Sequence, residues 1–160
     1  MIEIPLTQGK IALIDDEDFE AVSHHKWYAE KSGDGRRWYA CTSIRKSDGL
    51  KTTMKMHRFI MGITDRKIDC DHDDLNTLNN QKYNLRPCTR AQNMQNTVVK
   101  SNSSSGLKGV VLHKKSGLWM ARIRANGKQI LLGYFKTAEL GHAAYCKAAT
   151  ELHGEFARVA

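Results

Sequence analysis

The chain has 160 residues, of which 41% are hydrophobic and 26% are charged, and its formal net charge is +8. This composition predicts one ordinary folded domain or two small ones, and it excludes wholesale disorder. The apolar runs are too short to cross a bilayer. The amino terminus lacks the basic start and apolar core of a secretory signal, so we expect a cytoplasmic protein with no membrane contact.

The four cysteines predict free thiols. None of them forms a Cys-x-x-Cys pair, and an intracellular protein keeps its thiols reduced. Their spacing is also poor for zinc, which needs clustered ligands. The four are Cys41, Cys70, Cys88 and Cys146.

The positive charge is concentrated in the last third of the chain. Residues 1–99 hold 15 Lys and Arg against 14 Asp and Glu, whereas residues 100–160 hold 10 against 3. This distribution predicts a separate carboxy-terminal module that meets a polyanion. A lysine-rich solvated face is the alternative interpretation.

The amino-terminal part is predicted to be rich in β-strands. Residues 10–15 and 37–45 read as strands, and the KSDG turn at 46–49 leads into residues 50–62. In that last segment two methionines alternate with Lys55 and His57, which favours an extended chain. Four aromatic residues are core or sheet residues, with stacking on nucleic-acid bases as the alternative. These are Trp27, Tyr28, Trp38 and Tyr39.

The segment IDCDHDDLNTLNN, residues 68–80, gathers four acidic residues and one histidine within six positions. A calcium loop of the EF-hand type fails, because Asn76 stands where glycine is wanted and Lys82 where a bidentate glutamate is needed. A structural zinc site built on Cys70, His72 and Cys88 lacks a fourth ligand. A plain acidic surface loop stays open at this point.

The residues around the acidic run predict a strand, a loop, a second strand and a helix. The first strand ends at Asp71-His72, and YNLRPC at 83–88 forms the second. Thr89 and Gln92 have the spacing of a capping box, which places Asn93 in the first helical turn. This order would bring Asp71, His72 and Asn93 together at one edge.

This ordered set resembles the HNH endonuclease motif of the ββα-metal class. It is similar to the motif of phage homing and mobile endonucleases, in which asparagine replaces the final histidine. The resemblance covers most of residues 1–99, with the motif itself at 55–96. The residues that carry it are Met56-His57-Arg58, Asp71-His72, Asn79-Asn80, Asn84-Leu85-Arg86 and Asn93.

The resemblance implies a role for four of these residues. Asp71 would bind a metal ion through a carboxylate oxygen, and Asn93 through its amide oxygen. His72 would be the general base, and Asn84 would brace the loop and hold His72 in place. His57, Arg58, Asp73 and Asp74 have no firm role: His57 is expected to be packed or near a phosphate, and the two aspartates to be loop residues or outer-shell groups.

The implied activity is hydrolysis of phosphodiester bonds in double-stranded DNA, with 5′-phosphate and 3′-hydroxyl products. A hard cation with oxygen ligands suits this chemistry, so we expect one Mg²⁺, with Mn²⁺ as the alternative. The enzyme would be a site-preferring homing or nicking endonuclease, and a monomer is favoured. A catalytically inactive, sequence-specific DNA-binding regulator is the alternative function, and cleavage of RNA is a third.

Residues 100–105 are predicted to be a linker between two domains, because the segment KSNSSSG is polar and small. We therefore expect one domain at 1–99 and a second at 106–160. The second is predicted to have strands at 107–113, 118–124 and 129–135, with a turn at 114–117.

A hairpin turn and a helix complete the second domain. Asn126-Gly127 is a strong hairpin signal, Thr137 can cap the helix that follows, and Gly154 can close it. The helix would cover one sheet face with Trp119, Ala121 and Ile123. Its own apolar stripe is predicted from helical spacing. That stripe contains Leu140, Ala144, Ala148 and Leu152, widened by Ala143, Tyr145 and Ala149.

Residues 106–156 resemble the three-stranded DNA-binding domain of plant ethylene-response factors, the Apetala-two type. The Trp-x-Ala-x-Ile-Arg strand, the Asn-Gly turn, the Leu-Gly-x-Phe strand end and the Thr-Ala-Glu helix entry stand in the family's order. Val111 and Leu131 depart from the pattern, so the plant site preference is not transferred. The resemblance implies that five residues face DNA: Lys108, His113, Arg122, Arg124 and Gln129.

The whole chain is therefore expected to be an α+β protein. Its β-rich amino-terminal domain would contain the ββα-metal motif. The second domain would be a three-stranded antiparallel sheet packed on one helix.

Overall fold

The computed structural model describes residues 1–45, 48–97, 99 and 103–158. It divides the chain into two compact units, Met1–Arg90 and Ala91–Ala160. Both contain small antiparallel sheets and few helices, so the α+β class is confirmed. Parts of the predicted 46–49 turn and 100–105 linker, at residues 46, 47 and 100–102, lie outside the described residues. The predicted domain boundaries stay a prediction.

The first unit begins with an antiparallel hairpin of β1 (Ile2–Pro5) and β2 (Ile11–Ile14), followed by the short helix α1 (Phe19–Ser23). A three-stranded sheet comes next, in the order β3 (Tyr28–Lys31), β4 (Trp38–Arg45) and β5 (Lys51–Lys55). The strands predicted at 10–15 and 37–45 are confirmed. The apolar core joins the hairpin, α1 and this sheet through Ile4, Ala12, Ile14, Val22, Trp27, Ala40 and Met56.

The extended chain that the Met54–His57 alternation favoured is wrong beyond Lys55. Residues Met56–Ile60 form the helix α2. The reason is the spacing of the apolar side chains, since Met56, Phe59 and Ile60 stand at i, i+3 and i+4 and all pack on the core. His57 and Arg58 therefore lie on a helix and not on a strand.

The last part of the first unit is the antiparallel pair β6 (Ile68–His72) and β7 (Leu85–Thr89). Its first strand ends at His72, as predicted. The second begins two residues later than predicted, because residues 82–84 form a 3₁₀ turn. Helix α3 (Arg90–Gln95) starts immediately after Thr89, so a helix is present where the capping box predicted one.

The second unit contains the strands β8 (Val110–His113), β9 (Leu118–Ala125) and β10 (Lys128–Phe135). They form one antiparallel sheet with β9 in the middle. Asn126 and Gly127 both have positive φ, at 50° and 76°, which is the backbone of a type I′ hairpin turn. The three predicted strands and the Asn-Gly hairpin are confirmed.

Helix α4 (Ala138–His153) packs on one face of this sheet. The Thr137 side chain accepts a hydrogen bond from the Leu140 amide, and Gly154 ends the helix at φ 54°, so both predicted caps are confirmed. Ala121 and Ile123 are buried beneath the helix, and Trp119 is packed at the same face. The described helices of both units are too short or too polar to cross a membrane.

The predicted apolar stripe of α4 is partly wrong. Leu140 and Leu152 are 54% and 46% exposed. The side that faces the sheet instead carries Ala138, Gly141, Tyr145, Ala148 and Ala149. All of these residues except Tyr145 are small, because the two elements are close: a Cβ added at Gly141 would lie 3.4 Å from a methyl group of Val110.

Candidate active site and candidate nucleic-acid surface

Asp71 and His72 are the last two residues of β6, and each is only 4% exposed. The register of the hairpin pairs Asp71 with Arg86 and His72 with Leu85. Successive strand residues project to opposite faces, so Asp71 and His72 have different surroundings although they are neighbours in the chain. Asp71 contacts a guanidinium, whereas His72 lies among rings and an amide.

The surroundings of the His72 ring favour its uncharged form. Its Nε2 atom faces the Asn80 Oδ1 atom at 3.5 Å, and the Asn80 amide nitrogen donates to the Leu78 carbonyl at 3.1 Å. Burial lowers the pKa of His72, although the Asn80 hydrogen bond and the charges of Asp74 and Asp71 oppose the shift. The Asn80 oxygen can only accept, so this contact requires the proton on Nε2, and Nδ1 is then the basic nitrogen of the uncharged ring.

His57 packs against His72 from helix α2. The centroids of the two rings are 4.9 Å apart at an interplanar angle of 88°, and the Tyr39 ring lies 5.7 Å from His57. His57 is 5% exposed, and burial together with the proximity of His72, Lys55 and Arg58 places its pKa well below the usual histidine range. The packed position fits the expectation for His57, and it adds a second neutral imidazole beside His72.

Hydrogen bonds from Asn84 connect different parts of the loop between β6 and β7. Asn84 is 1% exposed, and its Oδ1 atom accepts from the Asp74 amide at 2.9 Å. Its Nδ2 atom donates to the Asp74 carboxylate at 2.9 Å and to the Asn79 carbonyl at 2.8 Å. The Asn84 carbonyl accepts from the Asp73 amide at 2.9 Å. One side chain thus fixes both the start and the middle of the loop that follows His72.

The same loop is bonded to strand β2. Leu13 donates its amide to the Leu78 carbonyl at 2.8 Å, and the Asn80 amide donates to the Leu13 carbonyl at 2.7 Å. Nearby, the Asp15 carboxylate accepts from the Gln81 side chain at 2.9 Å and from the Lys82 amide at 2.7 Å. Asn80, which faces His72, is therefore fixed from outside the hairpin as well as from within it.

Arg86 bridges two carboxylates on the hairpin. Its Nη2 atom lies 2.5 Å from Asp71 Oδ2, and its Nη1 atom lies 2.8 Å from Asp73 Oδ1. Asp74 has a different environment, because it accepts from the Asn76 amide at 2.7 Å and the Asn79 side chain at 2.9 Å in addition to Asn84. Both loop aspartates are thus bound by the protein itself.

The roles of Asn80 and Arg86 were not anticipated from the sequence. Both belong to the motif segments, but no contact was assigned to either residue. The Asn80–His72 contact depends on how the loop folds back, and no local signal in the sequence indicates that path. The Arg86–Asp71 contact depends on the strand register, which alternating hydrophobicity does not define across so long a loop.

Asn93, the other predicted metal ligand, is half-buried on α3 in the second unit. Its participation in a site with Asp71 stays a prediction. Among the residues that the structure describes, no group of three or more His, Cys, Asp or Glu side chains is arranged to hold a metal ion. A predicted set of one carboxylate and one amide does not require such a group.

In the second unit, Arg122 and Arg124 are exposed on the sheet face opposite α4. Gln129 pairs with Arg124 across the strands, so it lies beside these arginines. All three line a groove of about 520 Å³ together with Lys108. The sheet thus brings four of the five predicted DNA-facing residues to one groove.

Lys108 and His113 make protein contacts of their own. The Lys108 Nζ atom donates to the Gln95 carbonyl at 2.5 Å, and burial with the nearby charge of Arg158 lowers the pKa of Lys108 to about 8. His113 lies outside the groove, with Nδ1 2.8 Å from the Ser116 hydroxyl and its ring 5.2 Å from that of Tyr134. Arg122, Arg124 and Gln129 are therefore the more accessible members of the set.

Comparisons with known proteins identify relatives of this chain. No protein-family profile matches it, and no solved structure matches it. An uncharacterized HNH endonuclease of Acanthamoeba polyphaga mimivirus is 32% identical over 155 residues, which cover 94% of this chain and 74% of that protein. Protein 3.8 of Escherichia phage T7 is 36% identical over 90 residues, which cover 55% of this chain and 72% of that protein. The chain belongs to the HNH endonuclease family.

Proposed function

We propose that this protein is a divalent-metal-dependent endonuclease that hydrolyses phosphodiester bonds in double-stranded DNA. The products would carry 5′-phosphate and 3′-hydroxyl ends, and the enzyme would be of the homing or nicking type. The observation that carries the proposal is the buried Asp71-His72 pair at the end of β6, whose loop is braced by Asn84. The two strands and the helix that follow would form the ββα-metal motif.

The donor chemistry of the proposed ligands fits a hard cation. Asp71 offers a carboxylate oxygen and Asn93 an amide oxygen, and Mg²⁺ prefers oxygen ligands, as does Mn²⁺. These two residues would hold one ion. When bound, such an ion supplies stabilisation of the negative charge that develops on the phosphate and on the leaving oxygen.

His72 would act as the general base. Its lowered pKa keeps the imidazole uncharged at neutral pH, so it can take a proton from the attacking water. Asn80 orients the ring and leaves Nδ1 as the basic atom. A base that is fixed in this way contributes about 10²–10⁴-fold to the rate of such reactions.

Asn84 would be a positioning residue. Its side chain bonds Asp74 and Asn79, and its main chain bonds Asp73 and Gln81, so these partners all lie in the loop. Its effect on His72 would therefore pass through the loop backbone that begins at Asp73. Asp73 and Asp74 support the loop in this proposal and are not ligands.

The second unit would bind the DNA. We assign this role to its sheet face because Arg122, Arg124 and Gln129 are adjacent there and the unit carries most of the net positive charge. Arginine contacts to phosphates release counterions, so binding would weaken as salt is added. The resemblance to the ethylene-response factor domain supports a site preference, which would direct the tethered nuclease to nearby bonds.

A plasmid assay tests the proposed function. Supercoiled plasmid is incubated with the protein and Mg²⁺, in parallel with EDTA and with the His72→Ala variant. We expect open circles that require both the metal and His72, as a monomer with one active site would nick one strand. Early linear product would indicate a dimer that cuts both strands. If the supercoiled plasmid is not converted but the protein gives a salt-sensitive gel shift, the proposed nuclease activity is wrong and the DNA-binding regulator is favoured.

A further inference from the structure

Arg86 holds the carboxylate that the proposed function assigns to the metal. The two residues are direct cross-strand partners in the β6–β7 hairpin, and the ion pair joins Arg86 Nη2 to Asp71 Oδ2 at 2.5 Å. The Asp71 side chain is 5% exposed and that of Arg86 is 18% exposed. This pair is therefore far less hydrated than an ordinary surface ion pair.

A buried carboxylate needs a compensating charge whether or not a metal ion is present. Removing one partner of a buried ion pair is strongly destabilising, because the remaining charge loses water without gaining a partner. In the structure Arg86 supplies that charge to Asp71. A cation that binds Asp71 would supply the same charge, so the guanidinium and the cation would compete for the same carboxylate.

Asp73 gives Arg86 a second anchor. Arg86 Nη1 lies 2.8 Å from Asp73 Oδ1, and the Asp73 side chain is 60% exposed. The guanidinium can release one carboxylate and keep the other, because Nη2 contacts Asp71 whereas Nη1 contacts Asp73. Arg86 can thus remain on the hairpin when Asp71 takes another partner.

We propose that Arg86 is a positioning residue that competes with the divalent cation for Asp71 and so weakens cation binding to the free enzyme. The inference rests on the proposed function, in which Asp71 is a metal ligand. Before the cation binds, Arg86 holds the Asp71 carboxylate in place and balances its charge. After the cation binds, Asp73 keeps its ion pair with the Arg86 guanidinium. The cation affinity then includes the free energy of breaking the Asp71–Arg86 ion pair.

The experiment measures Mn²⁺ binding to the full chain without DNA, by the loss of the electron paramagnetic resonance signal of free Mn²⁺. Removing a unit positive charge from beside the cation strengthens its binding by about tenfold, on the basis of Coulomb's law at a hydrated distance of a few ångströms. We therefore expect Arg86→Gln to lower the dissociation constant about tenfold. Arg66→Gln is the matched control, because it removes the same charge from an exposed site near the start of β6, and we expect less than a twofold change.

Arg86→Lys separates the ion pair from a purely structural role. Lysine keeps the charge but lacks the fork that reaches both carboxylates. We expect its Mn²⁺ affinity to lie between those of the wild type and Arg86→Gln. It also keeps the test decisive where circular dichroism shows that the glutamine variant does not fold.

The Asp71→Asn variant distinguishes a failure of the proposed metal ligand from a failure of the proposed role of Arg86. Loss of Mn²⁺ binding in this variant together with unchanged or weaker binding in both Arg86 variants would overturn the role of Arg86 and leave the proposed metal ligand intact. Wild-type binding in Asp71→Asn would overturn the assignment of Asp71 and the inference with it. Loss in Asp71→Asn and tightening in Arg86→Gln would support both.

Discussion

The charged side chains at the candidate site of the first unit and on the candidate DNA surface of the second unit are held in opposite ways. In the first unit Asp71 is buried against Arg86, and Asp74 receives hydrogen bonds from Asn76, Asn79 and Asn84. In the second unit Arg122 and Arg124 are exposed on the sheet face opposite α4.

Added salt should weaken the interactions of exposed charges more than those of buried charges. Charges exposed to water are screened within about 8–10 Å at ordinary ionic strength, whereas short contacts between buried groups are screened much less. We therefore expect changes in the first unit to alter chemistry with little effect on the salt dependence of binding. Changes on the sheet of the second unit should alter the salt dependence of DNA binding with little effect on the cleavage chemistry.

Replacing His72 with alanine should reduce cleavage by about 10²–10⁴-fold, because the proposed general base is removed. DNA affinity should stay within about twofold of the wild type, since the side chain is buried and the exposed arginines are unchanged. Single-turnover cleavage and gel-shift titrations measure the two quantities on the same preparation. Full cleavage by the variant would contradict the assignment of His72, and a large loss of affinity would break the division between the units.

Replacing Gly109 with alanine should destabilise the second unit by about 3 kcal/mol or more. Gly109 has φ 77°, and an added Cβ would overlap the Tyr145 ring. Gly117→Ala is the matched control, because its φ is 68° but no atom lies within 4 Å of the added Cβ. Urea unfolding of both variants gives the free energies of unfolding. Equal losses in the two would show that backbone strain alone acts at Gly109.

The free energy of unfolding should fall below about pH 6.5 because His57 is buried and uncharged. The pKa of His57 is depressed in the folded protein, so this contribution is fully present above the ordinary histidine pKa. It is lost as the pH falls, because the unfolded chain takes up the proton first. The slope for one imidazole is at most about 1.4 kcal/mol per pH unit. Urea unfolding in EDTA between pH 5 and 8 measures it, and His57→Asn should flatten the curve; an unchanged slope in that variant would assign the effect to other groups.

Replacing Arg122 and Arg124 together with glutamine should weaken DNA binding about tenfold near physiological salt and reduce the log–log salt slope by about two. Lys114 and Lys115, exposed in the turn between β8 and β9, give a control pair with the same change in charge. Affinity measured across a salt series should change less for that pair. An equal loss of slope in both double variants would indicate a diffuse charge effect in place of a defined sheet surface.

Replacing Thr137 with alanine should cost about 1 kcal/mol of stability, because the helix N-cap is lost. The Thr137 hydroxyl accepts from the Leu140 amide at 3.3 Å. Thr150→Ala on the same helix is the control, since its hydroxyl donates only to the Cys146 carbonyl and alanine favours the helix there. Thermal unfolding should show a decrease for the first variant and no decrease for the second.

The elements of the second unit could be predicted because their signals are local. Asn126-Gly127, Thr137 and Gly154 act through their own backbone and their nearest neighbours. The buried side of α4 could not be read in the same way. Hydrophobicity favoured Leu140 and Leu152, but the close approach of helix and sheet selects small residues such as Gly141 at the contact.

In the first unit the sequence predicted the strand that ends at Asp71-His72 and the start of α3. The surroundings of these residues depend on contacts between distant parts of the chain. The partner of Asp71 follows from the β6–β7 register, and the position of Asn80 follows from its bond to Leu13. Neither relation leaves a periodic or spacing signal, because each joins residues that are far apart in sequence.

The bonds between β2 and the loop after β6 have a consequence for engineering this nuclease. Leu13 pairs with the loop on both sides of Asn79, and Asp15 holds the residues just beyond it. A fragment cut out around residues 55–96 would contain every motif residue and yet lack half of the scaffold that orients Asn80 towards His72. A nuclease fragment intended for fusion to another protein must therefore begin at the first hairpin. An affinity tag at the amino terminus should be separated from Ile2 by a spacer.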